Sequence, residues 1–114
     1  MGAGAPATRL MVFLTEDDRV GDRCAAEAIV ERARGAGLAG ATIWRGVEGF
    51  GERGHVRAAR LPDLERGLPL VVEVIDEDDA VARFLPVVTE LAAGALVTTE
   101  TVRVCRAPAA LNAP

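Results

Sequence analysis

Ala41-Thr42-Ile43-Trp44-Arg45-Gly46-Val47-Glu48-Gly49-Phe50-Gly51-Glu52-Arg53-Gly54-His55 decides how this chain is divided. It opens as an apolar, β-type run. From Gly46 onward it holds four of the chain's 12 glycines and its single His. A β-type run that dissolves into closely spaced glycine marks a strand end, where backbone turns tightly or approaches another group closely. Exposed N–H groups in such a turn can bind an anion such as phosphate. The same spacing also fits a strand bulge followed by a loop.

Working outward, the pattern repeats on either side of this segment. Upstream, residues 1–8 are small and aperiodic and are expected to form a mobile arm. Arg9 to Thr15 is a compact apolar run suited to a buried strand, and Glu16 to Gly21 reads as an acidic turn. From Asp22 to Ala36 the positions Cys24, Ala25, Ala28, Ile29, Ala33 and Ala36 keep helical spacing, with Gly37 as the stop. Ala41 to about Gly49 is then the second strand. Downstream, 50–66 is a polar loop without a period. Leu68 to Ile75 is a third strand, with Pro69 near its start, where a missing ladder donor is tolerable. Asp76 reads as the N-cap of a second helix that reaches about Ala92, bent or interrupted near Pro86, and Gly94 closes it. Thr98 to Arg106 is the fourth strand, and 107–114 a frayed tail.

Strand, helix, strand, twice over, is the ferredoxin-like split β-α-β arrangement. The expected fold class is α+β, βαββαβ, an antiparallel sheet with two helices on one face and a single domain over 9–106. A sheet covered on one face only leaves the other open, and a chain this small often buries such a face by oligomerising.

Composition narrows the function classes. Half of the 114 residues are hydrophobic, as in a folded domain, and the formal charge of −4 argues against nucleic acid as a partner. Phe50 is the lone aromatic beside the loop arginines, so there is no stacking platform for single strands either. No apolar run reaches membrane-spanning length and the start lacks a signal-peptide pattern, so a cytoplasmic protein is expected. All 13 basic residues are Arg, and Lys, Ser, Tyr and Gln do not occur. That excludes a Schiff-base or Walker A lysine and a serine nucleophile. Cys24 and Cys105 lack metal-type spacing and are expected to be reduced and buried, with a disulfide only if the fold brings them within bridging distance. No metal site and no catalytic residue is expected.

Three stretches carry a family resemblance: Gly37-Leu38-Ala39-Gly40-Ala41-Thr42-Ile43-Trp44-Arg45-Gly46-Val47-Glu48-Gly49-Phe50-Gly51, Leu68-Pro69-Leu70-Val71-Val72-Glu73-Val74-Ile75-Asp76, and Gly94-Ala95-Leu96-Val97-Thr98 leading into Val102-Arg103-Val104. Together they resemble the PII signal-transduction superfamily, and most closely its PII-like branch known as domain of unknown function 190. In PII a similar strand end Gly-Phe-Gly precedes the long T-loop, and a Gly-His pair follows, as Gly54-His55 does here. The resemblance implies a homotrimeric regulator, not an enzyme. It also implies adenine nucleotide in clefts between subunits and a loop that docks partners. Members of this branch often lie in genomes near a fluoride-export channel, which implies a membrane transporter or channel as partner.

By the same resemblance Gly49, Phe50 and Gly51 form the base of the T-loop beside the ligand, Glu73 matches an acidic position on the third strand and is expected among the ligand-binding residues, and Arg103 matches a phosphate-contacting arginine on the last. Arg106 is offset by one residue from a second family arginine. PII's Gly-Asp-Gly-Lys turn before the last strand is absent, since Gly94-Ala95-Leu96-Val97-Thr98 holds neither its Asp nor its Lys. That departure turns the implied effector from ATP toward AMP or ADP, or another small anion. The absence of Tyr removes control by uridylylation.

Each residue also has a plainer reading. Gly49 and Gly51 fit a bulge. Arg53, Arg57 and Arg60, with His55, are either a partner-docking surface or a solvated loop. Arg103 can bind an anion or form a subunit salt bridge. Glu73 interrupts an apolar strand and, if buried, needs an arginine from another strand or subunit. Trp44 is expected to pack in the core or at an interface.

Overall fold

The computed structural model describes residues 4–46, 48–49, 57–58 and 67–107. Strand β1 spans Ala5–Thr15, the short strands β2 and β3 Arg19–Val20 and Arg23–Cys24, and helix α1 Ala25–Gly35. Strand β4 is Ala41–Arg45, β5 Glu48–Gly49, β6 Arg57–Ala58, β7 Pro69–Asp76, helix α2 Asp78–Leu91 and β8 Leu96–Val104. The main sheet has the order β4-β7-β1-β8, with each neighbouring pair antiparallel. The two β-α-β units interleave: β7 lies between β1 and β4, and β1 between β7 and β8. This is the α+β ferredoxin-like arrangement expected from the sequence.

Alternation along the central strands sets the two faces. Leu10, Val12 and Leu14 of β1 pair with Val74, Val72 and Leu70 of β7, and all six are buried. Ala25, Ala26, Ile29 and Ala33 of α1 and Val81, Phe84 and Val88 of α2 pack on that face as one cluster. The spacing 25, 29, 33 and 81, 84, 88 puts each set on one helical stripe, and the small alanines let α1 approach the sheet closely. Arg9, Met11 and Phe13 of β1 and Val71, Glu73 and Ile75 of β7 therefore point to the opposite, open face.

Several boundaries differ from the sequence reading. β1 begins at Ala5, so 5–8 belong to the sheet and not to an arm. Ala5, Pro6, Ala7 and Thr8 pair with Val104, Arg103, Val102 and Thr101, a tertiary pairing that overrides their weak β preference. The expected acidic turn ends in the β2–β3 hairpin, whose two-residue loop starts at Gly21 with φ +63°. Helix α1 starts at Ala25, and it closes as sequence reading expects: Gly37 has φ +79°, Gly37 N–H bonds Arg34 O and Leu38 N–H bonds Ala33 O, a Schellman arrangement.

The cap of α2 is Glu77, not Asp76. The Asp76 carboxylate accepts instead from Ala39 N–H (2.8 Å) and Glu77 N–H (2.7 Å), tying the α1–β4 connection to the end of β7. The helix continues unbroken through Pro86. Within the expected loop, Arg57–Ala58 form β6 and pair with Glu48–Gly49. The last strand is shifted two residues toward the N-terminus, to Leu96–Val104. Cys24 is half-buried and Cys105 exposed rather than buried, because β8 is an edge strand and Cys105 lies beyond its end.

Candidate ligand site at the base of the central loop

The loop base expected to meet a ligand is built where β4 ends and β7 begins. Arg45 pairs with Leu70 at the last register position of β4, and Gly46 N–H bonds Pro69 O at 2.8 Å. Gly49 lies in β5 opposite Arg57 in β6. Phe50, Gly51, Arg53, His55 and Arg60 lie outside the described residues.

Beside this base runs a groove of about 390 Å³ lined by Glu16, Asp17, Arg19, Cys24, Glu27 and Arg45, among others. Ile43 and Leu70 form part of its floor. Both signs of charge meet in it, and the Glu16 carboxylate is ion-paired with Arg45. Sequence reading missed Glu16 and Arg45, because the first lies in a turn and the second ends a strand some thirty residues away. The registers of β1 and of β4 on β7 together bring them side by side.

Glu73 is engaged on the open face, away from the groove. Its Oε1 accepts from the Trp44 indole N–H at 3.0 Å, and its Oε2 stands 3.4 Å from Arg9 Nε. Arg9 Nε is also 3.0 Å from Glu100 Oε1, and Arg9 Nη2 donates to Met11 Sδ at 3.3 Å. The result is a polar row across all four strands, Trp44 on β4, Glu73 on β7, Arg9 on β1 and Glu100 on β8. The Glu73 side chain is 18% exposed, which fits an acid held by an arginine of the neighbouring strand. Trp44 is 57% exposed on the same face, so within one chain it is not a core residue.

Arg103 is exposed and pairs with Pro6 at the far end of β8. Alternation from Glu100 puts it on the helix side of the sheet, opposite to Glu73. From Arg45 to Arg103 the path crosses three strand spacings of ~4.8 Å and eight residues of ~3.4 Å, roughly 30 Å in all. Four residues of chain beyond Arg45 reach at most ~14 Å. One chain therefore does not bring Gly49, Glu73 and Arg103 together.

Among the described residues no group of three or more His, Cys, Asp or Glu is placed to hold a metal ion. No helix among them is long and apolar enough to cross a membrane. Elsewhere on the surface, Arg23 donates from both guanidinium nitrogens to both Glu31 oxygens, at 2.6 and 3.0 Å. These hydrogen bonds, and then the Arg23 charge, hold the Glu31 carboxyl below its ordinary value.

An antiparallel sheet of this order, with both helices on one face, is the ferredoxin-like arrangement. The chain belongs to the DUF190 family ("Uncharacterized ACR"), whose model matches residues 7–104. It is 37% identical over 95 residues to a UPF0166 protein of Aquifex aeolicus, spanning 83% of this chain and 90% of that one. Among solved structures it is similar to a putative PII-like signaling protein of Thermus thermophilus, with TM-score 0.65 and 21% identity over 88% of this chain and 90% of the other. It is also similar to a nitrogen regulatory PII-like protein of Thiomonas intermedia bound to ADP, AMP and bicarbonate, with TM-score 0.61 and 19% identity over 90% and 91% of the two chains.

Proposed function

We propose that this protein is a cytoplasmic PII-like regulator. It binds an adenine nucleotide, AMP or ADP, in clefts between the subunits of a homotrimer and docks a partner through the 52–66 loop. One observation carries the intersubunit placement. The loop base leaves one edge of the sheet and Arg103 stands on the opposite edge, at the other end. A ligand that touches both bridges two copies. The Thiomonas intermedia neighbour, which shares the fold and is bound to ADP and AMP, supports the ligand class. Gly49, Phe50 and Gly51 then supply backbone N–H groups to the nucleotide and Arg103 a guanidinium to its phosphate, as charge-assisted hydrogen bonds. Glu73, held by Arg9 and Trp44, acts by fixing the open face. Arg53, His55, Arg57 and Arg60 face the partner, a membrane transporter or channel.

Calorimetric titration of the full chain with AMP, ADP and ATP tests this. The expected result is binding of AMP or ADP in preference to ATP, weakened roughly 10- to 100-fold in Arg103→Ala by loss of a charge-assisted contact of about 1.5–3 kcal/mol. No binding of any of the three overturns the nucleotide assignment.

A second reading is favoured by the turn before β8. Gly94 has the positive φ (+86°) of a tight turn, but Ala95, Leu96 and Val97 follow where PII has Asp, Gly and Lys. On that reading the protein is a ligand-independent module on a transporter. Capture from membrane extracts that requires 52–66 and is indifferent to added ADP would favour it.

A further inference from the structure

Glu16 sits where both stems of the central loop meet. The outgoing stem ends at Arg45, whose Nη1 is ion-paired to Glu16 Oε2. The returning stem begins at Leu68, whose N–H donates to Glu16 Oε1 at 3.3 Å, while the Glu16 N–H donates to Leu68 O at 3.0 Å. One carboxylate thus holds both stems, one oxygen to each. The stems also touch directly. A Cβ built on Gly46 would stand 3.1 Å from Cβ and Cγ of Pro69, so a larger residue there would push the two apart.

We propose that Glu16 is the positioning residue of the central loop, setting how the 47–66 segment leaves and re-enters the sheet. The inference rests on the reading that this loop meets the nucleotide and the partner. The pair forms one wall of the solvent-reached groove, so it is a weak tie by the standard of ion pairs. A weak tie matters little to the global fold. At a loop base, where local opening is far easier than global unfolding, the same loss changes the population of the closed stems severalfold.

Amide hydrogen exchange and calorimetry with ADP on the full chain decide the matter, using Glu16→Ala, Glu16→Gln and Arg45→Met. Glu16→Ala is expected to speed exchange at Gly46 and Leu68 about three- to tenfold and to leave the Val12 and Val72 amides within about twofold. Glu16→Gln falls between wild type and Glu16→Ala, because an amide oxygen still accepts from Leu68. Arg45→Met adds little on top of Glu16→Ala, as members of one tie are not additive. ADP affinity falls severalfold in Glu16→Ala. Equal acceleration in stems and core overturns the proposal, as does unchanged stem exchange. ADP binding of equal strength in wild type and Glu16→Ala also overturns it. If wild type binds no ADP, the nucleotide reading fails, while the contrast between stem and core exchange still decides the role of Glu16.

Discussion

Glu73 shows how an acid survives in the middle of an apolar strand. It faces the open side, and the Trp44 indole and the Arg9 guanidinium occupy its two oxygens. Glu73→Ala leaves the indole N–H without its acceptor and Arg9 with Glu100 as its remaining carboxylate. The expected cost is about 1–2 kcal/mol in urea unfolding, with a red-shifted emission from the chain's single Trp. Unchanged stability and emission would contradict the row. The sequence announced that Glu73 needs an arginine. It did not say which, because Arg9 becomes its neighbour only through the β1–β7 register. At Glu31 the prediction concerns pH. Its folded-state value is depressed by Arg23, so the pair's contribution is complete above the ordinary carboxylate range and is lost as pH falls through the depressed value. Glu31→Gln should lower the thermal midpoint slightly at pH 7, and the difference from wild type should vanish in acid. A difference that grows in acid would refute this assignment.

The elements were legible wherever local pattern and tertiary role agree. Both helices, with their stripes of Ala and Val, and the apolar runs of β1 and β7 were visible in the sequence because burial demands them. The start of β1 was not, since Ala5-Pro6-Ala7 gain strand geometry from β8 rather than from their own preferences. Nor was the β2–β3 hairpin, although Gly21-Asp22 between two short runs is a two-residue turn signal. Asp76 has the chemistry of a cap and the nearest acid took that position, leaving Asp76 to bind Ala39 N–H. The end of α1 offers a test at this scale. Gly37 stands at φ +79° with nothing within 4 Å of a built Cβ. Gly37→Ala therefore costs backbone strain without a clash, about 1 kcal/mol, while Gly37→Asn costs less. Chemical denaturation of both variants checks the order, and equal stability of all three proteins would contradict it.

On the scale of the molecule, the fold divides labour between its faces and edges. The helices cover one face. The other carries the Trp44–Glu73–Arg9–Glu100 row, flanked by exposed Phe13, Ile75 and Leu96. Apolar side chains beside an ion-paired polar row suit burial against further copies, where the row gives register and the apolar groups give area. The end of β4, where the central loop leaves, and Arg103 follow the same logic, because one chain holds them on opposite edges of the sheet. The ferredoxin-like order could be argued from the two-half pattern, and the family from the resemblance of residues 37–51, 68–76 and 94–104. The distance from the end of β4 to Arg103 could not, since it depends on which strands become edges. Sedimentation equilibrium with and without ADP tests the central claim most directly. The account predicts a mass three times that of the 11.9 kDa chain, with ADP co-sedimenting with that species. A species that stays monomeric at all concentrations and carries no nucleotide would contradict it.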